Sequence, residues 1–311
     1  MHRLSARRLT PHPDEALPSP SDALLLDRIG WELRPEDDVA IRGDVRFLAG
    51  TQPRSAVVIC HGFKGFRRWG FFPPLARALA RRGHAAVSFD FSRNGVGADG
   101  VDFSALERFE ENTHSRNVDE IRLVLDATAA GRIPGCEGAA RIGLFGHSRG
   151  GGEAILAAAE DPRVEALVTW AAIGSVHRWS DDDAERWRRG ETVSVPNART
   201  GQSMPMGPGF WRDIERNADR LAIPAAAARI RAPWLIVHGE ADTSVAVDDA
   251  HALFSAAGDA AELAVVADAD HTFGAKHPWV GSTTELQTAA QATAEWFDPL
   301  LSPGKTAVDN P

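Results

Sequence analysis

The stretch LFGHSRGGGEA, Leu144 to Ala154, sets one serine between Gly146 and Gly150, with the apolar run RIGLF before it and GGGEAILAAAE after it. A hydroxyl that attacks a substrate must project from the edge of a packed sheet. A sharp strand-to-helix turn does this where the backbone can bend tightly. Side chains two residues before and two residues after the serine would collide across such a bend, which is why glycine is needed at both places. The stretch therefore predicts a buried strand, a turn exposing Ser148, and a helix ended by Asp161-Pro162.

Working outward, the chain alternates short apolar runs with helical stretches. The runs SAVVICH, HAAVSFDF, RIGLFG, VEALVTWAA, PWLIVHG and AELAVVAD lack the polar alternation of half-exposed strands and suit a parallel sheet covered on both faces. Between them lie FFPPLARALARRG, NVDEIRLVLDATAAG, GEAILAAAEDP, VDDAHALFSAAG and ELQTAAQATAEWF. Val118, Ile121 and Leu125 share one helical face, and Gly83, Gly131 and Gly258 stand where helices stop. Strand and helix in alternation predict an α/β fold, with a mostly parallel, twisted sheet of about eight strands and helices on both faces. Before these runs, RIGWELR and VAIRGDVRFLAG alternate apolar and polar, predicting two antiparallel edge strands with a hairpin turn at Gly43-Asp44.

Two segments break the rhythm. Residues 1–22 are dominated by proline, serine and charge and read as a flexible leader, with the remainder, 23–311, as one domain. Residues 174–225 hold prolines, glycines, many charges and three tryptophans, which predicts a functional insertion, a cap, containing no sheet strand.

Composition narrows the function classes. The chain is 43% hydrophobic and 25% charged, as soluble domains are, and its net charge of −9 argues against a nucleic-acid partner. No apolar run follows the basic start, and none is long enough to span a bilayer, so the expectation is a cytoplasmic protein without a membrane partner. Cys60 and Cys136 form no ligand cluster and read as buried small hydrophobes; no metal is expected. A homodimer is left open.

A serine alkoxide needs a base that titrates near neutrality, and histidines at the ends of later strands are the place to look. His271 in DADHTFG directly follows the run AELAVVAD. His251 falls within a helical pattern, His277 precedes a proline and His84 precedes a strand, which leaves His271 as the base by elimination. A base needs a carboxylate to hold its tautomer, and LIVHGEADTSV offers Asp242 in the loop after the preceding strand, although an N-cap role there is also reasonable. An oxyanion would be held by two backbone N–H groups, those of Arg149, at the helix start, and Phe63, in VVICHGFKGF. His61 and Lys64 are read as positioning that loop or facing solvent. Trp179, Trp187, Phe210 and Trp211 in the insertion could wall a substrate pocket or form the cap's own small core.

Taken in order, HGFKGF, GHSRGG, HGEADTSV and DHTFG resemble the motifs of α/β-hydrolases, nearest in type to small bacterial serine esterases of the dienelactone-hydrolase-like and cinnamoyl or feruloyl esterase-like kinds, over about residues 35–300. The resemblance implies Ser148 as nucleophile, Asp242 as acid, His271 as base and Phe63 and Arg149 as amide donors, with serine where dienelactone hydrolases proper carry cysteine. The function expected is cleavage of a small-molecule carboxylic ester, with a short or aromatic acyl group, through an acyl-enzyme and without a cofactor. The alternatives are a serine peptidase of the prolyl-oligopeptidase or aminopeptidase type and a non-catalytic binding protein on the same fold. A Gly-x-Gly-x-x-Gly match at Gly95, Gly97 and Gly100 is set aside as a dinucleotide site because no amphipathic helix opens directly after it.

Overall fold

The computed structural model of the protein describes residues 6–9, 26–35, 37 and 39–302. Its central strands are β4 (Ser55–Cys60), β5 (Ala85–Asp90), β6 (Arg141–His147), β7 (Val164–Trp170), β10 (Trp234–Gly239) and β11 (Ala261–Val266). All neighbouring pairs among these six are parallel. Their apolar runs are continuous because successive side chains enter different layers. Ala56, Val58 and Cys60 join one buried cluster and Val57 and Ile59 the other. The first layer is closed by α3 (His114–Ala129), α4 (Arg149–Glu160) and α8 (Val247–Ala257), and the second by α1 (Phe72–Arg81) and α9 (Thr284–Leu301).

Local chemistry sets the ends of these helices. Thr113 and Thr283 cap α3 and α9 by accepting the N–H of Arg116 and Leu286, and a proline stands in the first turn of α1. Gly83 and Gly131, both at positive φ, follow the ends of α1 and α3.

Among the described residues the sheet has nine strands, in the order β1-β11-β10-β7-β6-β4-β5-β3-β2. Two antiparallel strands, β2 (Leu26–Leu33) and β3 (Ile41–Leu48), close one edge, as expected. The hairpin turn does not fall at Gly43-Asp44, which lie inside β3. Gly43 pairs with Trp31 across the ladder, and a Cβ there would come within 2.1 Å of the indole. The glycine makes room for a ring; the turn lies in the connection after Leu33. At the other edge the backbone of β1 (Ala6–Leu9) pairs in parallel with β11. The rest of the expected leader lies outside the described residues.

The insertion after β7 folds as α5 (Asp181–Arg188), β8 (Val193–Asn197), β9 (Gln202–Met206), α6 (Pro208–Arg216) and α7 (Ile223–Ala227). It does contain strands, contrary to the sequence expectation. They pair only with each other, so they need no two-faced apolar run and escape the pattern that marks the main sheet. No helix among the described residues is long and apolar enough to cross a membrane.

Candidate active site

Ser148 is the single residue between β6 and α4, with φ 56° and ψ −123°. Such a conformation is costly for a residue with a side chain and persists only where the surroundings enforce it. Here they do. A Cβ on Gly146 would lie 2.4 Å from the Gly150 carbonyl oxygen, and one on Gly150 would lie 2.2 Å from the carbonyl oxygen of His61. Glycine at both positions lets the start of α4 press against the ends of β6 and β4. The Ser148 N–H donates to Trp170 O at 2.9 Å, and its carbonyl accepts from Gly151, Gly152 and Ile173.

His271 lies in the loop after β11 and Asp242 in the loop after β10. The parallel order of the sheet brings both to the carboxyl end of β6. His271 Nε2 stands 2.9 Å from Ser148 Oγ, and Nδ1 stands 2.7 Å from Asp242 Oδ2. An ionised carboxylate only accepts, so Nδ1 carries the hydrogen and Nε2 is free to accept from the serine. The second Asp242 oxygen accepts the N–H groups of Ser244 and Val245 at 2.8 and 2.9 Å. Asp242 therefore braces its turn as well as holding the imidazole, while α8 begins later, at Val247. Burial pushes the Asp242 carboxyl up, but hydrogen bonds from His238, His271 and the Val245 amide outweigh it and hold the group far below the ordinary carboxylate range. The arrangement can move a proton from the serine hydroxyl to the imidazole and steady the resulting cation.

Two cavities meet at Ser148. The larger, about 410 Å³, is walled by Ile173, Val176, Trp179 and Val245, with Phe63, Arg149 and His271 at its base. The smaller, about 230 Å³, runs past Lys64, Trp69, His147, Arg199 and Thr272. Phe63 borders both. Among the described residues no protein acceptor takes the backbone N–H of Phe63 or of Arg149. His61 is buried; its Nδ1–H donates to Gly62 O, and its Nε2 receives the Phe91 N–H. Burial pulls its pKa down to about 4, which keeps it neutral and in the role of a loop brace. Lys64 donates to Pro196 O in the cap at 2.9 Å.

Comparison with known proteins agrees with this architecture. A family model described as serine aminopeptidase, S33, matches residues 51–204, which include the elbow and part of the cap but neither Asp242 nor His271. An esterase domain from Rhodothermus marinus, 18% identical, superposes with a TM-score of 0.61 over 89% of this chain and 100% of that one. A dienelactone hydrolase from Anabaena variabilis is 20% identical, with a TM-score of 0.57 over 89% of this chain and 100% of that one. An uncharacterized 31.7 kDa protein of Escherichia coli is 26% identical over 288 residues, covering 82% of this chain and 94% of that one. The chain has the α/β-hydrolase fold.

Within this α/β-hydrolase fold the four cap aromatics form one contacting cluster, of which only Trp179 reaches a cavity. Trp179 is partly buried and walls the larger cavity. Trp187, Phe210 and Trp211 are buried against one another, with Trp187 and Trp211 stacked at 5.8 Å, and line neither cavity. They are the cap's own core. The Gly95, Gly97 and Gly100 segment is not followed directly by a helix; the next one, α2 (Leu106–Glu110), starts six residues after Gly100.

The site also contains side chains to which sequence reasoning gave no role. His147, beside the serine, is buried and donates from Nε2 to the His271 carbonyl at 2.9 Å. His238 on β10 donates to Val245 O and lies 3.4 Å from Asp242 Oδ2. The Arg149 side chain is buried, bonded to Glu153 Oε1 and Asn112 Oδ1, and its guanidinium lies 5.5 Å from the Phe63 ring and 5.4 Å from the Phe210 ring. Their signal was present, as histidines flanking the motif glycines and an Arg/Glu pair four residues apart. Only the packed strands reveal what each touches.

Proposed function

We propose that the protein is a serine esterase in which Ser148 attacks a carboxylic ester. The observation that carries this reading is the hydrogen-bonded chain Ser148–His271–Asp242 at the head of α4. In the first half-reaction His271 Nε2 takes the serine proton as Oγ bonds to the ester carbonyl carbon. Negative charge collects on the carbonyl oxygen, where the amides of Phe63 and Arg149 receive it. The intermediate collapses to an acyl-enzyme, and His271 returns the proton to the departing alcohol. Water, deprotonated by the same nitrogen, then releases the acid. The apolar wall of Ile173, Val176, Trp179 and Val245 suits a short or aromatic acyl group.

The description of the matching family model, a serine aminopeptidase, favours amide cleavage as a second reading. One experiment separates the two. Turnover of 4-nitrophenyl esters of rising chain length and of methyl hydroxycinnamates is compared with that of aminoacyl anilides, in the parent and in Ser148→Ala. The esterase reading expects ester turnover to exceed anilide turnover by orders of magnitude, with the variant near background and unlabelled by a fluorophosphonate probe. Comparable anilide turnover would promote the peptidase, and undiminished turnover or labelling in Ser148→Ala would remove Ser148 from the mechanism.

A further inference from the structure

The cations around the two cavities are not equivalent. Of the cations lining the larger cavity, Arg149 is paired with Glu153 and Arg178 with Asp249, whereas Lys64, which borders both cavities, is not paired. In the smaller cavity Lys64 and Arg199 have no carboxylate partner among the described residues, although the chain carries 43 acidic residues against 34 lysines and arginines. Each gives one side-chain hydrogen bond to a backbone carbonyl, Lys64 to Pro196 O at 2.9 Å and Arg199 to Lys64 O at 3.3 Å. That leaves two ammonium hydrogens and four guanidinium N–H groups uncommitted. The Arg199 guanidinium lies among the rings of Phe66, Trp69 and Phe103, 5.5 to 6.0 Å from their centroids, which holds it in place without neutralising it. Burial lowers the pKa values of Lys64 and of His277, and the field of Arg199 lowers them further.

Two cations without a carboxylate partner, in a chain of net charge −9 and bordering the smaller of the two cavities that meet at Ser148, would attract an anion there. We infer that Lys64 and Arg199 bind a carboxylate on the substrate, so that the natural ester is amphiphilic, with its apolar part against Trp179 and its anionic end in the smaller cavity. This rests on the esterase reading. It adds a specificity that the apolar wall alone does not supply. A neutral ester leaves the two charges as they are, whereas a carboxylate within reach gains charge-assisted hydrogen bonds from both.

The test uses matched ester pairs that differ only in the charged group: 4-nitrophenyl hexanoate against mono-4-nitrophenyl adipate, and phenyl butyrate against 4-carboxyphenyl butyrate. The first pair places the carboxylate on the acyl side and the second on the alcohol side. Preference for the anionic member of either pair supports the site and tells which half of the ester enters it. Lys64→Met and Arg199→Met should each lower the anionic-to-neutral ratio of kcat/KM, by about tenfold for part-buried Lys64 and less for Arg199, whose contacts at the rim are screened by solvent. Added salt should lower the same ratio in the parent. No preference in either pair, or equal loss on both members in the variants, overturns the inference. Calorimetric binding of the adipate and hexanoate esters to Ser148→Ala, with and without Arg199→Met, reads the site without turnover. Tighter adipate binding that Arg199→Met weakens keeps the anion site even if no ester is cleaved; equal binding removes it even if neutral esters are cleaved.

Discussion

His147 Nε2 donates to the backbone carbonyl of His271 at 2.9 Å, and the two imidazoles lie 4.9 Å apart. The residue before the proposed nucleophile thus holds the loop that carries the proposed base, joining β6 to the β11 loop by one bond. His147→Leu, which keeps the apolar contact with Phe71 and Phe72 but removes the donor, is expected to lower kcat by about tenfold with a smaller change in KM, because a misplaced base costs transition-state stabilisation more than binding. His147→Gln, which can still donate, should restore part of the loss. Steady-state kinetics on one ester decides it. Unchanged kcat in both variants would reduce the bond to packing.

Asp242→Asn keeps the size of the side chain and its brace on the loop while changing what it offers His271 Nδ1. An amide nitrogen turned toward the ring would favour the tautomer with Nε2–H, which cannot accept from Ser148. A fall in kcat of about 10⁴ is expected, with the fold retained by circular dichroism. If the rate is unchanged, the acid lies elsewhere, and the Asp181 to Asp183 run in the cap is the next place to look.

The division among the cap aromatics predicts two different phenotypes. Trp179→Ala opens the wall of the larger cavity and should shift the preferred acyl chain length upward with little change in stability. Trp187, about 1% exposed and bonded through Nε1 to Met206 O, should lose about 3–5 kcal/mol on truncation to Ala, read by urea denaturation. A chain-length shift in Trp187→Ala without destabilisation would reverse this assignment.

Burial pulls His147 down to about 3 and His61 to about 4, from an ordinary value near 6.5. Between those values the unfolded chain binds protons that the folded chain refuses. The stability present above pH 6.5 is therefore lost as pH falls, at about 1.4 kcal/mol per pH unit for each histidine. Urea denaturation at pH 7, 6, 5 and 4 should show this decline, and His147→Leu should flatten it by one histidine's share. An identical slope in the variant would mean that His147 is charged in the folded state.

Periodicity and local clashes are short-range properties, and these were legible in the sequence. Continuous apolar runs marked the six central strands, because a strand covered on both faces has no polar side to display. Gly146 and Gly150 marked the elbow, because its geometry forbids a Cβ. The order of Ser148, Asp242 and His271 along the chain followed from where loops leave a parallel sheet. Gly43 misled, because a glycine that receives a ring from the next strand looks in sequence like one that makes a turn. What only the tertiary structure decided are contacts between residues far apart in the chain: His147 on the His271 carbonyl, Trp179 against Phe63 at the cavity wall, and Lys64 beside Arg199 with no carboxylate partner among the described residues. Each depends on which loops the order of the strands places side by side, and a linear pattern carries no record of the distance between side chains separated by a hundred residues.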